Sequence, residues 1–246
     1  WFAETTVKLT PKTTAPKTQS QRIRIACAKN ESQSFQLVVR PKRQLALAGI
    51  RVGDLNDGSS RISSDFVSVQ AVEYVPIHKP SNFTPIRYLG LIGDPLVPVA
   101  SAELSPERGN QIYWVTVQVA PEVAAGTYKG TVKILFKDRT PLAVPIHLTV
   151  YDFELPEYSG LQASLGADFF QRRYEDDDKI ILDYHGLSTK SHLSHLAEEY
   201  YEVMAANRFY PRSVAAYGGE IDFKWSAPPE GYNVDAPGNH FRLYDW

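Results

Sequence analysis

Cysteine is nearly absent from this chain: Cys27 is the single one in 246 residues. An internal disulfide and a cysteine-based zinc site are therefore excluded. Long apolar runs are missing too. None approaches the ~20 residues that a membrane helix requires. Excess charge is lacking, with a formal net charge of −2, so the sequence gives no electrostatic case for nucleic acid or an anionic membrane. There is no Gly-rich phosphate loop, no Ser-His-Asp spacing and no basic-aromatic stripe. No signal peptide opens the chain, which starts at Trp1 without Met and reads as a processed or trimmed product.

What remains is ordinary globular material, 43% hydrophobic and 22% charged. Up to about residue 155 it reads as all-β. ETTVKL, QRIRIACAK, QSFQLVVRP, LALAGIRVGDL and FVSVQAVEYVPI alternate with period two or are rich in β-branched residues. Phe35, Leu37 and Val39 share one face, and Ser34 and Gln36 the other. Pro11, Asn30, Asn56-Asp57-Gly58 and Pro121 punctuate the runs. Prolines sit at run ends, where a missing N–H harms a ladder least. Short, evenly spaced strands of this kind predict a β-sandwich rather than a parallel sheet.

Asn110 to Gly130, NQIYWVTVQVAPEVAAGTYKG, holds two alternating strands around the loop Ala120–Gly126 and reads as a β-hairpin. In it Tyr113 and Trp114 point to opposite faces. Lys79 to Gly109 breaks the rhythm with Pro, Gly and Asp and reads as a long loop. Its Phe83, Tyr88, Leu89, Leu91, Leu96 and Val97 predict packing rather than disorder. Cys27, within a strand pattern, reads as a small buried residue rather than a nucleophile.

After Pro156 the rhythm changes. LQASLGADFF suggests a strand entering a loop at Asp168. HLSHLAEEYYEVMAANRF predicts a helix, with Leu193, Leu196, Ala197, Tyr200, Val203 and Met204 on one face and Glu198, Glu199 and Glu202 on the other. Ser191 or Thr189 can cap its start, and Asn207 can end it in the left-handed conformation. RSVAAYGGEIDF suggests the next strand. Strand, helix, strand is the opening of a βαβ series. About ninety residues follow Pro156, far short of the ~200–250 of a complete βα barrel. The expected organisation is a mainly β chain: a β-sandwich over residues 1–155, then over 156–246 an incomplete α/β segment like the first units of a (β/α) barrel. The end, FRLYDW, reads as interrupted.

AKNESQSFQLVVRP, the loop GDPLVP, NQIYWVTVQVAPEVAAGTYKGTV and LTVYDFELP resemble, in this order, the N-terminal β-sandwich of glycoside hydrolase family 123 and of the domain of unknown function 4091 proteins. MAANRFYP is similar to the end of the first barrel helix in that group. The resemblance spans roughly residues 1 to 210. It implies a secreted or periplasmic bacterial carbohydrate enzyme, in the manner of the β-N-acetylgalactosaminidases. No cofactor is expected. In such enzymes the substrate's own acetamido oxygen is the nucleophile. An adjacent Asp-Glu pair serves it, the Asp orienting the acetamido group and the Glu acting as general acid. This chain contains no Asp-Glu dipeptide. No catalytic residue is carried over, and the pair is expected beyond Trp246.

Candidate sugar contacts come from the residues themselves. Asp168 falls at the expected C-terminal end of a barrel strand, where such enzymes place ligands; its alternative is a turn cap. Glu220, Asp222 and Trp225 cluster in YGGEIDFKWS. Carboxylates beside an aromatic ring suit a pyranose, whose apolar face packs on the ring; two carboxylates also suit acid–base work. Their alternative is a strand end with solvated acids. Glu175-Asp176-Asp177-Asp178 invites calcium but lacks the Gly and distal Glu of an EF-hand loop, so it reads as a solvated loop. His185, His192 and His195 lack a suitably spaced acidic ligand and read as surface or capping histidines. No metal site is expected.

Three readings of function follow. In the first, the chain is the N-terminal part of a glycoside hydrolase and is inactive alone. In the second, it is a non-catalytic module binding glycan or protein through the sandwich or the Lys79–Gly109 loop. In the third, the sandwich only braces a barrel.

Overall fold

The computed structural model of the chain describes residues 1–18, 20–79, 89–157, 182–188 and 192–207. The chain divides into two units, Trp1–Glu157 and Tyr158–Trp246.

The first unit is mainly β. Its strands are β1 (Phe2–Ala3), β2 (Ile23–Lys29), β3 (Glu31–Val39), β4 (Leu45–Val52), β5 (Leu55–Asn56), β6 (Arg61–Ile62), β7 (Val67–Ile77), β8 (Gly90–Pro98), β9 (Ala102–Leu104), β10 (Gln111–Val119), β11 (Gly126–Phe136) and β12 (Leu142–Glu154). They form two sheets. One runs β1-β3-β10-β7-β8; the other runs β2-β12-β11-β4-β9, with β5 pairing β11 and β6. Side chains from both sheets meet in one core. Phe35, Leu37, Val115 and Val117 come from the first sheet, and Leu47, Tyr128, Val132, Ile146 and Leu148 from the second. The second sheet is mixed, because β2 runs parallel to β12 while β12, β11 and β4 are antiparallel.

The expected hairpin at Asn110–Gly130 is not one. β10 pairs with β3 and β7, and β11 pairs with β12 and β4. The loop between them carries the chain from one sheet to the other. Alternation reports which side chains are buried, and both strands bury theirs in the same core from opposite sides: Val115, Val117 and Val119 from β10, Tyr128, Val132 and Ile134 from β11. A loop longer than the two to five residues usual in a hairpin leaves room for that crossing. Val123 in the loop packs on the core. The Tyr128 hydroxyl donates to the Ala124 carbonyl at 2.8 Å and lies 2.7 Å from the Ser60 hydroxyl. This return of a tyrosine hydroxyl to the backbone four residues upstream is the device of the tyrosine corner in other sandwiches.

Two further expectations are corrected. ETTVKL is not a strand; the segment crosses the outer side of the first sheet. There the Gln36 side-chain amide donates to the Glu4 and Val7 carbonyls at 2.8 Å each, and Leu9 packs with Val38 and Ile112. Gln36, on the face opposite Phe35 and Leu37, is buried as a result. The far end of the segment is tied by the fully buried Asn110, whose amide donates to the Thr10 and Thr13 carbonyls at 2.9 and 2.8 Å. Nor is Lys79–Gly109 a loop throughout, since it contains β8 and β9. β8 is the last strand of its sheet, where Pro95, Pro98 and two glycines are tolerated because one side has no ladder to interrupt. Leu89, Leu91 and Leu96 are exposed rather than packed; Phe83 and Tyr88 lie outside the described residues. Tyr113 faces the core, while Trp114 points to the other side of the sheet and is half-buried.

In the second unit α1 (His192–Ala206) forms as the periodicity predicts. Leu196 is buried and Glu198, Glu199 and Glu202 are exposed, but Val203 is exposed as well. Asn207 does not turn left-handed, since among the described non-glycine residues only Asn30 has a positive φ. It ends the helix through its side-chain amide, which donates to the Val203 carbonyl at 2.8 Å.

Candidate functional site

The strongest local construction in the first unit surrounds Asn30. The chain leaves one sheet at Lys29 and enters the other at Glu31, so a single residue turns the corner, with φ of 56°. Asparagine tolerates this left-handed conformation better than most residues. The Glu31 carboxylate accepts from the Ala28 N–H at 2.6 Å. The Asn30 amide donates to the Leu155 carbonyl at 2.9 Å, and the Leu155 N–H donates to the Lys29 carbonyl at 3.0 Å. Lys29 Nζ lies 2.8 Å from Asp152 Oδ1. Its hydrogen bond and charge hold the Asp152 carboxyl below the usual carboxylate range. The AKNE and DFELP phrases, 120 residues apart in sequence, are thus one structural corner.

β12 overruns its neighbour there. Its pairing with β11 ends at Val150 opposite Gly126, and the four residues from Tyr151 to Glu154 are exposed. Tyr151 and Phe153, 49% and 57% exposed, hold their rings nearly parallel, 9° apart with centroids at 6.0 Å. Exposed aromatic faces are chemically suited to the apolar face of a sugar. Sequence reasoning missed this pair. The only signal available was the length of the last strand, which continues past its final core residue.

The sequence-predicted contacts Asp168, Glu220, Asp222 and Trp225 lie outside the described residues, as does Glu175–Asp178. Of the histidines, His185 sets Nε2 2.9 Å from the Tyr200 hydroxyl. His195 lies 3.6 Å from both Glu198 and Glu199, so acidic neighbours do exist one helical turn on; all three side chains are exposed. Among the described residues no three His, Cys, Asp or Glu side chains gather as a metal site requires.

Cys27 is buried in the core. Burial, then the charge of Glu31, pushes its thiol up to about 12. The thiolate is the reactive form, so the folded chain is expected to resist alkylation at pH 8 and to label fully in denaturant. Stoichiometric labelling of the folded chain within minutes would contradict that placement.

The sequence model of the family described as Glycoside hydrolase 123 N-terminal domain matches residues 2–136. No curated protein matches the chain. Among solved structures, a family 123 glycoside hydrolase from Clostridium perfringens, studied for the details of its glycolipid glycan hydrolysis, is similar with a TM-score of 0.61 at 12% identity. The likeness covers 77% of this chain and 33% of that one, so the chain spans about a third of that relative's length. At this identity the likeness speaks for the fold. The sporulation control protein Spo0M from Bacillus subtilis aligns at a TM-score of 0.30 and 9% identity, over 54% of this chain and 46% of that one, too distant to carry an argument.

Proposed function

The chain belongs to the glycoside hydrolase 123 N-terminal domain family through residues 2–136, and from that premise we propose that it is the N-terminal portion of a glycoside hydrolase acting on glycans. In this reading Trp1–Glu157 is the accessory β domain, and the segment after Pro156 opens a (β/α) barrel. The substrate class is a glycan bearing N-acetylgalactosamine, and the protein works outside the cytoplasm, in the periplasm or beyond the cell. The observation that carries the proposal is the family match over more than half of the chain. The Asn30 corner agrees with it, because it locks the exit of β12 where a following domain would begin. Among the described residues no helix is long and apolar enough to cross a membrane.

The chemistry in this reading belongs to an Asp-Glu pair that the 246 residues do not contain. The test is the reading frame beyond Trp246. It is expected to continue into a barrel strand bearing adjacent Asp and Glu. The complete gene product is expected to cleave an aryl β-N-acetylgalactosaminide and to lose that activity when the Glu is changed to Gln. A complete product without such cleavage would overturn the proposal.

The exposed Tyr151–Phe153 pair favours a second reading, a glycan-binding module without chemistry of its own. Glycan-array binding that survives removal of everything after Pro156, and that falls with Tyr151→Ala, would select it.

A further inference from the structure

The net charge of −2 conceals a one-sided distribution. In the sheet β2-β12-β11-β4, strand pairing places Arg24 opposite His147, and His147 opposite Lys129. Four residues further along β11, Lys133 stands opposite Arg51 of β4. The core-facing residues are the alternate ones, Ile23, Ile146, Leu148, Tyr128, Val132, Ile134 and Val52, so these basic residues occupy the outer face. Arg24, Lys129, Lys133 and Arg51 are exposed and His147 is half-buried. Strands are ~4.8 Å apart and rise ~3.4 Å per residue, which gives a cationic field about 14 Å across the four strands and about 14 Å along them.

No carboxylate stands in either row, and none of these side chains forms an ion pair among the described residues. Like charges directly opposite one another weaken a sheet. Here Lys133 and Arg51 stand directly opposite one another, and Arg24 and Lys129 flank His147 on either side. The same field acts on His147 itself. Burial, and then Arg22, Lys129 and Arg24, hold its imidazole below the usual histidine range.

We propose that this outer face, through Arg24, His147, Lys129, Lys133 and Arg51, holds an acidic glycan carrying sulfate or carboxylate groups. The positive field selects an anion. No aromatic side chain stands in the rows to stack on nucleic-acid bases, and no apolar stripe to enter a bilayer. The positions between and beside the cations include Thr127, Thr131, Thr149 and Asn56, whose hydroxyl and amide groups suit sugar hydroxyls, together with the apolar Pro145 and Ala143. The choice of a glycan over other polyanions rests on the proposed glycoside hydrolase reading; the positive face itself does not.

The experiment measures binding of the 246-residue chain to immobilised chondroitin sulfate and dextran sulfate, with neutral dextran as control, at 20 and 300 mM salt. Binding to the sulfated chains at low salt and its loss at high salt are expected. The triple variant Arg51→Gln, Lys129→Gln, Lys133→Gln is expected to bind at least tenfold more weakly. All three side chains are exposed, so its melting temperature should stay within a few degrees; if it does not, the single Lys129→Gln and Lys133→Gln variants are each expected to weaken binding severalfold. Wild-type binding equal on sulfated and neutral dextran would overturn the proposal, as would variants that bind like wild type. Tighter binding to an oligonucleotide or to phosphatidylserine vesicles than to the sulfated glycans would overturn the choice of glycan. Cleavage of the aryl glycoside by the complete gene product is a separate readout, so failure of the hydrolase reading and failure of this surface are distinguishable.

Discussion

Tyr128→Ala is expected to destabilise the first unit by about 3–5 kcal/mol, the range for truncating a fully buried aromatic residue. Tyr128 is completely buried in the shared core. It sits where β11 begins, just after the chain has crossed between the sheets, and so it does two jobs. Its ring fills core volume. Its hydroxyl reaches the Ala124 carbonyl and Ser60, fixing the crossing loop. The two contributions separate in Tyr128→Phe, which keeps the ring and leaves the partners of the hydroxyl unsatisfied, costing about 1–2 kcal/mol. Urea unfolding followed by far-ultraviolet circular dichroism reads both. A Phe variant as damaged as the Ala variant would mean that the loop anchor dominates, and an unchanged Phe variant would mean that the anchor contributes nothing.

Asn30→Ala is the second large effect, at about 2–4 kcal/mol. It removes the hydrogen bond to the Leu155 carbonyl, and it asks a residue without a local hydrogen-bonding side chain to hold φ near 56°, a conformation costing about 1–3 kcal/mol. Asn30→Gly relieves the backbone and loses the side-chain hydrogen bonding, so it is expected to cost about 1 kcal/mol. The order Asn, then Gly, then Ala in urea midpoint identifies the left-handed corner. Equal losses for Gly and Ala would show that the backbone conformation is not what selects asparagine there.

These two residues also mark what the sequence made legible and what it did not. The Asn30 break and the alternation of β2, β3, β4, β7, β10, β11 and β12 could be read directly, because a half-buried strand must alternate. The partner of each strand could not. Val115 and Tyr128 look the same whether their strands pair in one sheet or face each other across two, and only the length of the intervening loop hinted at the second. β8 was hidden by prolines and glycines that an edge strand tolerates. ETTVKL alternates, yet it satisfies its carbonyls through Gln36 instead of a ladder.

The candidate surfaces were less legible still. A net charge averages over the whole chain, whereas the positive face needs the register that sets Arg24, His147 and Lys129 side by side. The Tyr151–Phe153 pair needs the knowledge that β12 outlasts its neighbour. Asp168, Glu220, Asp222 and Trp225 lie outside the described residues and stand as sequence expectations.

The central proposal is that this chain is the N-terminal portion of a glycoside hydrolase and holds no Asp-Glu pair of its own. The most direct measurement is release of aryl alcohol when the 246-residue chain alone is incubated with an aryl β-N-acetylgalactosaminide. The account predicts no release above the enzyme-free rate; sustained turnover proportional to the concentration of the chain would contradict it.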